Sequence, residues 1–289
     1  MKHLKKILAF SMALALTAIT AGCGDKAETA PTSEAESEAV SSESASGETV
    51  TVKVGASPAP HAEILESIKP LLEEQGVILE IQEFTDYVLP NKALDSGDID
   101  ANYFQHLPYL ENFNQENGTD LVSAAAIHFE PLGVYPGKSA AVDALPDKAS
   151  IAVPNDPTNE ARALLLLEKL GLITMKEDAG LESTPLDIVE NPKNIQFEEI
   201  EAAQLPNVLP DVDLAVINGN YAVSAGIADT VLTTEDKESE AAKKFANIIA
   251  VKAGDEERPE IQKLVEALQS EEIANFISEK YNGTVIAVF

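Results

Sequence analysis

The sequence predicts an α/β protein in which strands and helices alternate and the sheets are mostly parallel. Short runs rich in valine and isoleucine, which are typical of strands, alternate with longer segments whose apolar residues recur at helical spacing. Glycine and proline stand at most junctions between these segments. Such alternation is characteristic of proteins in which helices cover a largely parallel sheet.

The first elements lie between residues 50 and 128. Residues 50–56 alternate valine with polar residues and stop at Ser57-Pro58-Ala59-Pro60, which predicts a strand and a loop. Apolar residues at helical spacing predict a helix over residues 61–75, which ends at Gly76. The next segments predict a strand over 77–83, a short helix over 91–96, a buried segment over 99–104, a helix over 107–117 and a strand over 121–128.

The alternation resumes after a break at Pro136-Gly137. Residues 151–153 predict a strand, and Asp156-Pro157 predicts the start of a helix because aspartate caps helices and proline suits their first turn. Gly171 ends that helix. Further strands are predicted over residues 194–200, 214–217 and 245–251, followed by a largely helical segment over 260–280.

The N-terminal residues predict export and lipid attachment. A basic start is followed by an apolar run over residues 7–19, which is too short for a membrane-spanning helix and is typical of a cleavable export signal. Thr20-Ala21-Gly22-Cys23 then resembles a bacterial lipobox, although Thr20 stands where leucine is usual. The resemblance implies that residues 1–22 are a signal peptide and that Cys23 is lipidated; the alternative is a plain signal peptide with an incidental cysteine. Because Cys23 is the only cysteine, intramolecular disulfides and cysteine metal sites are excluded.

Residues 23–48 predict a disordered tether behind that cysteine. The stretch is dominated by serine, glutamate and alanine, has no aromatic residue, and cannot bury enough apolar surface to fold. As a flexible coil of about 25 residues it spans roughly 25–30 Å. It would let a folded body reorient against a membrane partner.

The charge of the chain excludes one class of partner. There are 49 acidic residues against 20 basic ones, for a net charge of -29. Such a surface repels phosphate backbones, so no nucleic-acid partner is expected. It also repels anionic lipid headgroups, so a covalent anchor is the expected route to the membrane. Because 45% of the residues are hydrophobic, the rest of the chain is expected to be globular.

The sequence contains none of the common motifs for hydrolases, zinc proteases, nucleotide-binding loops or dinucleotide-binding turns, so no catalytic activity is expected. His61, His106 and His128 raise an alternative, a metal-ion-binding receptor of an importer, because His61 and His128 each stand two residues before a glutamate. Aromatic residues concentrated over positions 87–113 favour an apolar ligand over a hydrated cation.

Five longer motifs identify a family. The first two are FTDYVLPNKAL over residues 84–94 and GDIDANYFQH over 97–106, followed by PYL over 108–110. The others are VPNDPTN over 153–159 with Arg162 after it, DIVENPKN over 187–194 and AVINGNYA over 215–222. In this order they resemble the methionine-binding lipoproteins of ABC importers, and the resemblance covers residues 50–289.

The resemblance implies a two-lobed fold of the periplasmic-binding-protein type (type II), with a ligand cleft between α/β lobes joined by two crossings. The crossings are expected near Tyr135-Pro136-Gly137 and near Asn247. Lobe one then comprises residues 50–136 plus 248–289, and lobe two residues 137–247. The implied ligand is methionine, a derivative of it or a methionyl dipeptide, without a cofactor. The implied partners are an ABC permease and its ATPase, met at the extracytoplasmic face of the cell membrane, where the lipid anchor holds the protein.

The resemblance also implies the ligand-binding residues. Asn159 and Arg162 lie on one face of a helix near its N-terminus, where a guanidinium and helix-end amides suit an α-carboxylate. Asn218 offers a donor and an acceptor at a strand end. Asn191 lies in Asn-Pro-Lys-Asn and either binds ligand or forms a turn.

From the first lobe, Tyr87 and Phe104 are implied to pack on the thioether. His106 either hydrogen-bonds the ligand or only braces the pocket. Tyr103, next to Phe104 in an extended segment, is expected to point away from the ligand. No metal site forms part of this interpretation.

Overall fold

The computed structural model describes residues 49–238 and 243–289. The expectations for the signal peptide, for Cys23 and for the tether up to residue 48 lie outside these residues. None of the helices within the two described ranges combines the length and apolar character that crossing a membrane requires.

The described chain alternates strands and helices as the sequence predicts. The strands are β1 (Val50–Ala56), β2 (Val77–Glu83), β3 (Ala101–His106), β4 (Leu121–Phe129), β5 (Gly133–Pro136), β6 (Ser150–Pro154), β7 (Thr174–Met175), β8 (Ile188–Glu190), β9 (Gln196–Ile200), β10 (Leu214–Ile217), β11 (Thr233–Thr234), β12 (Asn247–Lys252) and β13 (Ile286–Ala287). The helices are α1 (Glu63–Glu74), α2 (Leu89–Ser96), α3 (Leu107–Asn117), α4 (Pro157–Lys169), α5 (Leu205–Val208), α6 (Gly219–Ser224), α7 (Pro259–Leu268) and α8 (Glu271–Tyr281).

Two main sheets organise these elements, and each has its own core. The first sheet has the order β13-β4-β12-β3-β1-β2, and the second has the order β11-β5-β10-β6-β9. Helices α1, α7 and α8 cover the first sheet through residues such as Leu65, Leu264 and Ile277. Helix α4 covers the second through Leu164 and Leu167. The α/β class is therefore confirmed, with one lobe around each sheet.

The sheets are mixed, which differs from the mostly parallel sheets expected. β1 pairs in parallel with β2 and β3, and β6 with β9 and β10. β12 instead runs antiparallel to β3 and β4, and β5 runs antiparallel to β10. β5 follows β4 across a short segment with no helix between them, whereas a parallel connection needs a long crossover, usually a helix.

Two chain segments connect the lobes, and strand pairing locates both of them. β5 pairs with β10 and β11 of the second sheet, so the chain leaves lobe one between Phe129 and Gly133, before Tyr135-Pro136-Gly137. The chain returns between Thr234 and Asn247, and Asn247 already pairs with His106 and His128 in lobe one. The first crossing segment is short and mostly buried.

Some element ends also differ from the predictions. The segment over 260–280 is two helices, because the Ser270 side chain accepts a hydrogen bond from the Ile273 N–H and begins α8. A helical turn over Pro58–Ala62 precedes α1, so His61 lies ahead of that helix. The buried segment predicted over 99–104 is strand β3, which ends at His106.

Candidate functional site

A cavity with about 340 Å³ of empty space, which includes space open to solvent, lies between the two lobes. Strands and loops of lobe one supply aromatic and polar side chains, α4 and the turn between β10 and α6 supply polar and charged ones, and the first crossing contributes Glu130. The lining residues are Tyr87, Phe104, Gln105, His106, Tyr109, Glu130, Asn159, Arg162, Asn218, Gly219, Asn220 and Asn247.

Aromatic rings form the lobe-one wall of the cavity. The Tyr87 ring centroid lies 5.8 Å from those of Phe104 and Tyr109, and 4.9 Å from that of Tyr221 in lobe two. The Tyr87 hydroxyl donates to Asn220 Oδ1 at 2.6 Å. Burial raises the pKa of Tyr87, so the hydroxyl stays protonated. Neighbouring β3 side chains face opposite ways, and the Tyr103 ring packs 4.7 Å from that of His61 instead.

His106 connects the two lobes beside this wall. Its Nδ1 accepts from the Tyr109 N–H at 3.2 Å and caps α3, which leaves the proton on Nε2. Nε2 donates to Asn159 Oδ1 of lobe two at 3.1 Å. Burial, and then the Arg162 charge, lower the pKa of His106 to about 3, so the ring is neutral. Both ring nitrogens are thus engaged by protein groups.

The start of α4 positions the polar groups of lobe two. Asp156 caps the helix by accepting from the Asn159 N–H at 3.0 Å and from Asn159 Nδ2 at 2.9 Å. Asn159 Oδ1 in turn accepts from Asn218 Nδ2 at 3.0 Å. Arg162 follows one turn later on the same face, and both residues are buried.

Arg162 has an acidic partner within the protein. Its Nε and Nη2 donate to the two carboxylate oxygens of Glu235 at 2.7 and 2.5 Å. Nη2 also donates to the Glu130 carbonyl at 3.0 Å. The Phe245 ring packs against the guanidinium, with its centroid 4.5 Å from Arg162 Cζ. Within the described residues Nη1 is the guanidinium nitrogen without a protein acceptor, so it is the edge open to a bound anion.

Two amide groups in the cavity also have free capacity. Asn218 Oδ1 and Asn220 Nδ2 are buried, and neither has a hydrogen-bond partner among the described residues. A buried polar group without a partner costs free energy. One acceptor and one donor are therefore available to a bound molecule.

The turn that carries these amides needs a glycine beside the first crossing. A Cβ on Gly219 would lie 2.7 Å from the Glu130 Cβ, closer than carbon atoms approach. Burial raises the pKa of Glu130. The interactions with His61 and Arg162 and a hydrogen bond from the Asn220 N–H lower it in part.

A histidine pair lies behind Glu130. His128 Nε2 lies 2.6 Å and His61 Nε2 3.5 Å from Glu130 Oε1. The three residues form the one group of the described chain whose side chains could hold a metal ion. His106 does not join them, so the ligand set His61, His106 and His128 is wrong. Protein hydrogen bonds already engage the pair: His128 Nδ1 meets the Tyr103 hydroxyl, and His61 Nε2 donates to Asn247 Oδ1 at 2.9 Å.

The structure brings six of the seven predicted ligand residues to the cavity: Tyr87, Phe104, His106, Asn159, Arg162 and Asn218. Asn191 is not among the lining residues. Its side chain closes a turn instead, with Nδ2 donating to the Ile195 carbonyl at 3.0 Å and Oδ1 accepting from the Ile195 N–H at 2.8 Å. Of the two roles expected for Asn191, binding ligand or forming a turn, the structure shows the turn.

Sequence reasoning missed several cavity residues. Asn220 stands in the same Asn-Gly-Asn motif as Asn218, which was the available signal. Glu130 stands two residues after His128, but that spacing suggested only a metal site. Glu235 had no local signal, because its partner Arg162 is 73 residues away.

Two α/β lobes that enclose a cavity lined by aromatic, amide and guanidinium groups define a solute-binding protein. Comparison with known proteins specifies the class further. The family model described as NlpA lipoprotein matches residues 52–289, and the chain belongs to this family.

Several similar proteins are described as lipoproteins or as methionine-binding proteins. The D-methionine-binding lipoprotein MetQ of Salmonella typhimurium is 41% identical over 240 residues, 81% of this chain and 87% of the relative. A nutrient binding protein from Burkholderia cenocepacia, solved bound to methionine, is 45% identical, with a TM-score of 0.78 over 82% of this chain and all of that one (100%). A lipoprotein from Ruminococcus gnavus is 53% identical, with a TM-score of 0.82 over 83% of this chain and 99% of that one.

Proposed function

We propose that this chain captures methionine outside the cytoplasm and delivers it to an ABC importer, as a binding protein rather than an enzyme. The observation that carries the proposal is the cavity between the lobes, which is lined by an aromatic wall, by Arg162 and by two amide atoms without a hydrogen-bond partner among the described residues. It is supported by membership of the NlpA lipoprotein family and by the methionine bound to the 45% identical relative.

Each part of methionine has a suitable partner in the cavity. We assign the α-carboxylate to the Nη1 edge of Arg162 and to the free Nδ2 of Asn220, because charge-assisted hydrogen bonds are strong in a buried site. We assign the thioether to the rings of Tyr87 and Phe104, since sulfur–aromatic contacts contribute about 0.3–1.5 kcal/mol. Asn218 Oδ1 remains as an acceptor for the ammonium group.

The proposal includes a lipid anchor at Cys23 and docking to a permease with its ATPase at the extracytoplasmic face of the membrane. It is supported by the lipobox-like sequence before Cys23 and by relatives named membrane lipoprotein, such as TpN32 of Treponema pallidum. Replacing Cys23 by alanine should abolish incorporation of labelled palmitate. Continued labelling of the variant would contradict the anchor.

The direct test of the ligand uses the purified protein. We expect denaturation to release methionine, which mass spectrometry identifies, and calorimetric titration of the emptied protein with L-methionine, D-methionine and a methionyl dipeptide to rank the three forms. Binding of none of them would contradict the proposed function. Chelator treatment separates the metal alternative: affinity for methionine and the melting temperature should both be unchanged after it.

A further inference from the structure

A buried carboxylate fixes the position of Arg162. Glu235 lies in the second crossing, and its side chain accepts from Arg162 Nε and Nη2. Glu235 Oε2 also accepts from the Leu132 N–H of the first crossing at 2.9 Å, and the Glu235 N–H donates to the Leu132 carbonyl at 2.9 Å. The carboxylate is thus held by backbone groups, and it engages Nε and Nη2 of Arg162, which leaves Nη1 without an acceptor among the described residues.

The same carboxylate balances the charge of Arg162. The Arg162 and Glu235 side chains are only 5% and 11% exposed, so solvent screens their interaction weakly. Among the lysine and arginine side chains of the described residues, Arg162 is the one that lines the cavity, and Glu130 lines it as well. Burial keeps His106 neutral. A bound carboxylate therefore meets an ion pair rather than an uncompensated cation.

This charge balance favours one ligand class. A simple carboxylate brings a net negative charge to a site whose positive charge is already matched. A zwitterionic amino acid brings its ammonium group as well, and its net charge is zero. We propose that Glu235 is a positioning and specificity-determining residue, which orients Arg162 and makes the cavity select zwitterionic amino acids over carboxylates of the same shape. The inference rests on the proposed function and specifies its ligand class.

The test compares two ligands in three proteins. The ligands are methionine and 4-(methylthio)butanoate, which lacks only the amino group, and the proteins are the wild type, Glu235→Gln and Phe245→Leu. Glu235→Gln removes the balancing charge, while Phe245→Leu loosens the guanidinium without changing charge. Competition calorimetry gives the preference for methionine, defined as the ratio of the two dissociation constants.

We expect Glu235→Gln to lower this preference by about tenfold, because one unit charge near the ligand is removed from a weakly screened site. Phe245→Leu should weaken both ligands together and leave the preference unchanged. Loss of Arg162 positioning affects both ligands alike, since both carry the carboxylate, so the ratio isolates the charge. A Glu235→Gln protein with the wild-type preference would overturn the inference.

A second measurement needs no variant and covers the case in which Glu235→Gln does not fold. In the wild type, 4-(methylthio)butanoate keeps the carboxylate contact and adds a net negative charge to the site. If Glu235 balances Arg162, the wild type should bind methionine at least about tenfold more tightly than 4-(methylthio)butanoate, and equal affinities would overturn the inference. If methionine itself does not bind, the proposed function fails; if it binds without these preferences, only the role of Glu235 fails.

Discussion

At the scale of single residues, Arg162 has two partners to satisfy, Glu235 and the ligand. An enclosed carboxylate needs a charged or multiply hydrogen-bonding partner, and Arg162 supplies it in the proposed complex. We expect Arg162→Ala to weaken methionine binding by at least about 2–5 kcal/mol, which is about 30-fold or more. Arg162→Lys should recover only part, because an ammonium cannot engage Glu235 through a planar fork and keep an edge free. Calorimetric titration measures both.

The control separates binding from stability. Arg162→Ala leaves the Glu235 carboxylate, 11% exposed, without its cation, so the free energy of unfolding should fall as well. Adding Glu235→Gln to Arg162→Ala should restore much of the stability and none of the affinity. Near wild-type affinity in the single variant would mean that the ligand carboxylate is held elsewhere.

His106 gives a prediction about pH. Burial, and then Arg162, lower its folded-state pKa from 6.5 to about 3. Below pH 6.5 the unfolded chain binds a proton at His106 that the folded protein does not bind, so stability falls as the pH falls. Between pH 7 and pH 5 this residue should cost about 2 kcal/mol of unfolding free energy. Urea unfolding gives the difference in unfolding free energy between the wild type and His106→Gln, and this difference should change by about 2 kcal/mol between pH 7 and pH 5.

Taking the difference removes the other titrating groups. Burial raises the pKa of Glu130 and that of Glu160, the latter to about 7, and both act in the opposite direction to His106. They are present in both proteins and cancel. A stability difference that does not change with pH would contradict the account of His106 as a buried neutral ring.

At the scale of elements, the N-terminus of α4 supports both the fold and the site. Asp156 caps the helix and also holds the Asn159 side chain towards His106 and Asn218. Asp156→Ala should cost about 1–2 kcal/mol of stability, measured by urea unfolding, and should also weaken methionine binding because Asn159 is released.

Ser270→Ala is the matched control. Ser270 caps α8 through the Ile273 N–H at 3.3 Å, and neither residue lines the cavity. The variant should lose stability and keep its affinity for methionine. If the two variants bind equally well, the cap of α4 has no part in the site.

The elements also show how far sequence reasoning extends. Asp156-Pro157 located the start of α4 because capping is a local interaction. β5 and β11 have only four and two residues, too short for a periodic pattern, and β5 pairs with β10, which lies far along the chain. β12 runs antiparallel to β3 and β4 because of the path that the chain takes between the lobes, and local sequence patterns do not predict that path. The ion pair of Arg162 with Glu235 went unseen for the same reason.

At the scale of the whole molecule, hydrogen bonds between the lobes surround the cavity. His106 donates to Asn159 at 3.1 Å, the Tyr87 hydroxyl to Asn220 at 2.6 Å, and the Tyr221 hydroxyl to the Thr85 carbonyl at 3.2 Å. Each joins a residue of lobe one to a residue of lobe two. The two crossings are themselves joined through Leu132 and Glu235. The described arrangement is therefore the closed one, and opening it breaks a small set of identifiable bonds.

Methionine should favour this closed arrangement, because only there do the aromatic wall and the Arg162 edge reach one ligand. A ligand that binds the folded state alone at 100 times its dissociation constant adds about 2.7 kcal/mol, which corresponds to a rise in melting temperature of roughly 5–10 °C. Small-angle scattering should show a smaller radius of gyration at the same concentration. Tyr87→Phe removes one hydrogen bond between the lobes, so methionine should raise its melting temperature less and shrink its radius of gyration less. Ser270→Ala should melt at a lower temperature without ligand, but methionine should raise its melting temperature as much as that of the wild type. A scattering profile and a melting curve that saturating methionine leaves unchanged would show that closure and binding are not coupled.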